Sequence, residues 1–154
     1  MALKRPIRGG RPEGGAAAVE FALVMPILVL LISSIVGFGV VLAQQMALSN
    51  AVRQAARSAV VRDGLTCGDM ATQARTDATT LFVTTANVNI TATRRTTAGV
   101  TSSPCGVSTN KPCAGGQLDD TLIVTGTYNS TLSLPFFKPT FNLQANGSFR
   151  CEFQ

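Results

Sequence analysis

The chain has no histidine, no tryptophan and a single tyrosine, and only 14% of its 154 residues are charged. Without histidine, the common nucleophile–base pairs of covalent catalysis have no base, and imidazole metal sites have no ligand. The acids that follow the apolar segment (Asp63, Asp69, Asp77, Asp119, Asp120, Glu152) fall at no spacing that suggests a general acid/base pair. Asp119-Asp120 reads as a solvated turn before a strand. There is no glycine-rich phosphate loop and no Cys-x-x-Cys pair, so a zinc site would need all four thiolates at irregular spacings. The sequence therefore offers no catalytic residue, no metal site and no cofactor site, and it does not read as an enzyme.

What is present is unevenly distributed. Apolar residues concentrate between Ala16 and Ala43, where Glu20 is the one charge, and from Asp63 onward the chain is rich in Thr, Ser, Asn and Gly. The net charge of +5 points to nucleic acid only until its location is considered. Lys4, Arg5, Arg8 and Arg11 stand against Glu13 in the first fifteen residues; beyond them nine basic and seven acidic residues leave +2. The Arg8–Arg11 run could hold RNA in a flexible tail, but a basic flank beside an apolar helix is a topology signal. No nucleic-acid partner is expected.

A bilayer core takes roughly 20 apolar helical residues, and Phe21 to Ala43 is long enough to span it. It is too long for an ordinary secretory signal core of roughly 7–15 residues. The flanking charges place the N-terminus inside and the C-terminus outside. A rival cleavage site exists at Val41-Leu42-Ala43, before Gln44, and its use would release a soluble domain. Glu20 argues against that outcome. An acid in a membrane helix costs roughly 2.5–3.5 kcal/mol at the centre, less near an end, and marks a functional position by default. The plain alternative is an interfacial acid tolerated near the helix's positive end.

The run Gly15-Ala16-Ala17-Ala18-Val19-Glu20-Phe21 resembles the processing site of tight-adherence (Flp-type) pilins and pseudopilins, in which a glycine precedes four residues and then Glu-Phe or Glu-Tyr. Extended from Gly14 through Pro26, it is similar to the opening of TadE-like proteins. The resemblance implies cleavage between Gly15 and Ala16 by a prepilin peptidase, an aspartic membrane protease. Glu20 then becomes the fifth residue of the mature chain, where an acid guides subunit docking. It further implies other pilins or pseudopilins and inner-membrane pilus assembly proteins as partners, besides membrane lipid. The implied location is the bacterial inner membrane, single-pass, with the C-terminal domain periplasmic or extracellular, and then the pilus. It does not separate TadE from its relative TadF.

Elementary chemistry is compatible with this. Gly14-Gly15 resists helix formation and presents little bulk to a protease, while Ala16–Ala18 start a helix at once. Cleavage creates an amine within reach of Glu20. Pro26 removes one helix hydrogen bond and loosens or kinks the helix near Ala22.

The helix is expected to run over 16–62, with the transmembrane part at about 20–43, a stalk beyond it, and Gly64 as the stop. Gly39, Ala43, Ala47, Ala51, Ala55 and Ala59 recur every fourth position, as in a packing ridge, although alanine is also simply the best helix former. Residues 63–154 read as a small extracytoplasmic domain. A second helix follows Gly68 with Asp69 at its N-cap; Met70, Ala74, Ala78, Leu81 and Phe82 share one face. Val88/Ile90/Ala92 and Leu122/Val124/Tyr128 alternate as half-buried strands. Leu143, Ala145, Phe149, Cys151 and Phe153 share one parity near the C-terminus. Pro135–Pro139 can only be a loop. The expected class is α+β: a long N-terminal helix, a short helix and a small antiparallel sheet, pilin-like. That order also matches the TadE-like family, from which the Arg150-Cys151-Glu152 ending and an insertion at 99–117 depart.

Cys67, Cys105, Cys113 and Cys151 all follow the apolar segment, so an oxidising compartment would give two disulfides. Four cysteines allow three pairings. Local closure of the 99–117 loop favours Cys105–Cys113, leaving Cys67 for Cys151, each worth roughly 2–4 kcal/mol. Three glycosylation sequons (Asn89, Asn129, Asn146) match by chance in so Thr- and Asn-rich a chain. Two functions fit: a structural subunit of pilus assembly, or an exported binding module whose apolar helix is only an address or anchor.

Overall fold

The computed structural model describes residues 14–79, 83, 87–134 and 137–152. Most of the basic leader, with Leu81, Phe82, Pro135, Phe136 and Phe153, lies outside them. The architecture is α+β: one long helix, one short helix and a four-stranded antiparallel sheet.

Helix α1 (Gly14–Val61) is 48 residues long, about 72 Å at 1.5 Å per residue. It starts within the Gly14-Gly15 pair expected to resist it, because Ala16–Ala18 propagate helix in both directions. Pro26 lies inside it. Its end follows from Gly64, whose φ of +103° costs little without a Cβ. Helix α2 (Cys67–Ala78) is capped by Thr66, with Asp69 at the third helical position completing a reciprocal capping box. The cap thus lies three residues before the expected Asp69. Met70, Ala74 and Ala78 are buried as the spacing predicts.

The strands are β1 (Val88–Arg95), β2 (Thr101–Ser102), β3 (Thr121–Thr131) and β4 (Thr140–Arg150), in the order β2-β1-β3-β4. The 99–117 segment is therefore not all loop, since β2 turns back on β1 with Arg94 opposite Ser102. Register fixes the inner face. Ala92, Val124 and Gly147 form one row, Ile90, Gly126 and Ala145 the next, and Val88, Tyr128 and Leu143 the third. The alternate positions carry Thr91, Thr93, Thr125, Thr127, Asn142, Gln144 and Asn146, which explains the polar, aromatic-poor composition: one side of the sheet faces water.

Helix α1 packs on β3 and β4, and α2 packs on α1 and β1. Leu48, Val52, Ala55, Ala56, Ala59 and Val60 of α1 join Met70, Ala74, Leu122, Val124 and Tyr128 in one buried cluster. The distal half of α1 is thus one wall of the domain. Close approach there depends on two glycines that the alternation of apolar residues does not reveal. A Cβ on Gly147 would lie 2.9 Å from the Val52 carbonyl oxygen and 3.0 Å from Arg53 Cα. On Gly126 it would run into the Val52 and Leu48 side chains.

The disulfides are Cys67–Cys105 and Cys113–Cys151, not the expected Cys105–Cys113 and Cys67–Cys151. The reason is that the loop does not stand free. Asn110 and Ser108 carbonyls accept from Cys67 N (2.7 Å) and Gly68 N (2.8 Å), groups that the start of a helix leaves without partners. Docked there, the loop brings Cys105 to Cys67. It then returns to the start of β3, where Cys151 N donates to the Asp120 carbonyl at 2.8 Å, placing Cys113 beside Cys151.

Candidate processing and assembly site

Gly15 and Ala16 lie in the first turn of α1, where backbone N–H groups have no intrahelical acceptor. Nothing approaches within 4 Å of where a Gly15 Cβ would be. Glu20 and Phe21 follow in the second turn, both exposed, with Phe21 63% accessible. Glu20 makes no ion pair among the described residues. Ala16 and Glu20 are four apart, so they are neighbours on one helix face. An amine created at Ala16 would lie about 6 Å along the axis from Glu20.

Around the acid, α1 is apolar and bare. Val19, Leu23, Val24, Ile27, Leu31, Ile35 and Val36 are all exposed. Among the described residues, one helix is long and apolar enough to cross a membrane, with a mean hydropathy of 2.6 over its best window. The hydroxyl of Ser34 is satisfied within the helix, donating to the Leu30 carbonyl at 2.8 Å. Among the described residues no partner covers this surface, and it needs lipid or neighbouring helices to do so.

The small-residue row divides. Gly39 and Ala43 are exposed and Ala47 is half-buried, whereas Ala51, Ala55 and Ala59 are buried in the domain core. Each four-residue step turns about 40° around the helix, so a row this long cannot face one partner. Its distal end seats the chain's own domain, and its proximal end is open.

Where the apolar stretch meets the domain, polar groups that the sequence reading passed over fix the register. Gln44 is 5% exposed, and its Oε1 accepts from Ser130 Oγ at 2.5 Å. Gln45 Nε2 donates to the Gln144 carbonyl at 2.9 Å. Gln44 follows the candidate Ala43 cleavage site, and α1 runs through it unbroken. The only signal for these contacts in the sequence was a pair of amides at the end of an apolar run.

At the far end of the sheet, Asp119 is exposed and pairs with Arg150 at 3.4 Å. Asp120 does not share that solvated turn; it is 1% exposed. Its Oδ2 accepts from Gln117 N at 2.9 Å and lies 3.6 Å from Arg94 Nε, while Arg94 Nη1 donates to the Ala114 carbonyl at 2.7 Å. This pair organises the returning loop. Among the described residues, no three His, Cys, Asp or Glu side chains gather as a metal site would require.

These features define an α+β protein whose long helix is half bare apolar surface and half domain core, with one acid near the bare end. The family model described as TadE-like protein matches residues 15–57, and over that segment the chain is similar to TadE-like proteins. Neither the curated proteins nor the solved structures give a significant match.

Proposed function

We propose that this chain is a minor pseudopilin of a tight-adherence pilus: a structural subunit rather than an enzyme. It is cut between Gly15 and Ala16 by a prepilin peptidase, held across the inner membrane by α1 with its domain outside, and drawn into assembly through that helix. The observation that carries the reading is Glu20, an exposed acid five residues after Gly15 on a bare apolar helix, inside the segment that is TadE-like. An anchor has no use for a lipid-facing acid, whereas a docking helix does, because the amine of a cleaved neighbour can pair with it.

Three further features support this role. The scissile bond lies in the helix's first turn, where unwinding breaks few hydrogen bonds. The two disulfides suit an oxidising compartment for the domain. Release at Ala43 would sever α1 next to the buried Gln44 and remove the Gly37 surface against which Leu132 packs, which weighs against a secreted module.

The test is the intact mass and N-terminal sequence of the protein extracted from membranes, beside a Glu20→Ala variant. A chain beginning at Ala16, with Glu20→Ala inserted normally but absent from pili, supports the proposal. A chain beginning at Gln44, or normal piliation by Glu20→Ala, overturns it.

A further inference from the structure

The β3–β4 hairpin extends beyond the domain core. Past Thr131 the two chains stay together, Leu132 N donating to the Pro139 carbonyl at 2.9 Å and Leu134 N to the Phe137 carbonyl at 3.0 Å. Leu132 and Leu134 are buried, yet they do not belong to the cluster that forms the core. Leu132 packs on Gly37, where a Cβ would fall within van der Waals overlap of the Leu132 methyls. Phe141, at the start of β4, meets Phe38 with ring centroids 6.5 Å apart. On the same helix face, one to two turns toward the N-terminus, Ser34, Ser33 and Leu30 are half-buried.

Those contacts fall within the apolar stretch of α1, and its length sets their depth. From Ala16 through Val36 there are 21 residues, about 31 Å of helix, against a hydrocarbon core of about 30 Å. If Glu20 stays among the headgroups, Phe21 through Val36 gives 16 residues, about 24 Å, and the core is not yet crossed. Gly37 thus lies within about 2 Å of the outer boundary of the hydrocarbon in the first placement and about 6 Å below it in the second, and the hairpin that packs on it is at the same depth. The exposed chemistry of the tip matches that level. Phe137 is 55% exposed beside exposed Lys138, an aromatic ring with a cation whose long stem can reach back to the headgroups. On α1, Ile35, Val36, Phe38 and Leu42 are exposed as well.

We propose that the segments flanking the β3–β4 turn, at Leu132–Leu134 and Phe137–Lys138, are seated in the outer leaflet of the membrane that α1 crosses, a second lipid contact that fixes the domain's height and tilt. The proposal rests on the membrane-spanning reading of α1. It shortens the free span expected at 20–43, because the helix is already accompanied by its own domain from Gly37 onward.

The absence of tryptophan makes the test direct. Three single-tryptophan variants of the full chain are placed in phosphatidylcholine vesicles: Phe137→Trp at the tip, Leu28→Trp in the bare helix, and Val107→Trp on an exposed loop. Each is quenched by lipids brominated along the acyl chain and by aqueous iodide, with near-UV circular dichroism confirming the fold. The expected result is several-fold stronger bromine quenching and weaker iodide quenching for Phe137→Trp than for Val107→Trp, with Leu28→Trp quenched by bromine. If Leu28→Trp is quenched by bromine while Phe137→Trp behaves like Val107→Trp, the span stands and the hairpin seat falls. If Leu28→Trp escapes bromine, the membrane reading falls and the seat with it. If Phe137→Trp is shielded from both quenchers, increasingly so at higher protein-to-lipid ratio, the tip is covered by a second copy and the lipid proposal is overturned.

Discussion

Gly147→Ala tests how α1 sits on the sheet. A methyl there would be 2.9 Å from the Val52 carbonyl oxygen, 3.0 Å from Arg53 Cα and 3.1 Å from Arg53 N. All three atoms belong to helix backbone, so no rotamer change relieves the overlap, and ordinary contact near 3.5 Å requires a shift of about half an ångström. The helix cannot yield cheaply, because Ala51, Val52, Ala55 and Ala56 around that point are all within 2% of complete burial. Overpacking of this kind costs about 1–3 kcal/mol. Against it, alanine restricts the unfolded chain and returns about 0.4–1 kcal/mol. The net expectation is a loss of about 1–2 kcal/mol, or a melting temperature lowered by roughly 5–15 °C in a domain of this size. Gly147→Val should lose more. Gly106→Ala, where no atom lies within 4 Å, should stay within about 0.5 kcal/mol of the parent. Tyr128, the single tyrosine, is 8% exposed in the core, so its near-UV circular dichroism reports loss of packing without interference from the long helix. A Gly147→Ala protein that melts at or above the parent temperature would refute the seating of α1 on β4.

Non-reducing peptide mapping should recover Cys67–Cys105 and Cys113–Cys151, and a Cys105–Cys113 peptide would contradict the docking of the loop on α2. Each bridge spans 38 residues, so replacing either pair by alanine should cost about 4 kcal/mol in the chain-entropy account, read as a fall in denaturant midpoint. Asp120→Ala leaves Arg94 buried and uncompensated and should cost about 3–5 kcal/mol, whereas Arg94→Met with Asp120→Leu should recover most of that loss in the same unfolding assay. Asp119 holds a φ of +85° and its pairing with Arg150 is exposed; Asp119→Gly should therefore be neutral or raise stability by up to about 1 kcal/mol, and a clear loss would contradict it.

The elements were legible because their periods were clean. Leu122, Val124 and Tyr128 share one parity of a strand, and Met70, Ala74 and Ala78 recur every fourth position, as one face of a helix requires. What the sequence concealed depended on partners distant along the chain. Asp119 and Asp120 are chemically identical neighbours, and only the presence of Arg94 beneath one of them separates a solvated turn from a buried ion pair. The disulfide pairing also depends on a distant partner. Loop closure favours the near pair when the loop is imagined free, but the unpaired N–H groups at the start of α2 hold it, and that preference depends on tertiary docking. Gly126 and Gly147 would ordinarily weaken a strand; their role became visible only once α1 was seen to cross them.

The continuity of α1 gives these details a common consequence. A span and a domain joined by a linker could tilt independently, but here no break separates them. The helix passes through Ala43 and Gln44 unbroken, Ser130 and Gln144 bond to its side chains at that junction, and Leu132 reaches back to Gly37. Rotation of the apolar half about its axis must therefore carry the sheet with it, and the position of the sheet sets which face of the apolar half is open. The drift of the small-residue row follows the same rule: with Ala51, Ala55 and Ala59 committed to the core, Gly39 and Ala43 are turned toward the outside. A neighbouring helix that docks on that open face, or an acid–amine pair formed at Glu20, thereby selects one orientation of the domain. In the assembly role proposed above, that coupling lets a contact made in the membrane specify a surface presented outside it.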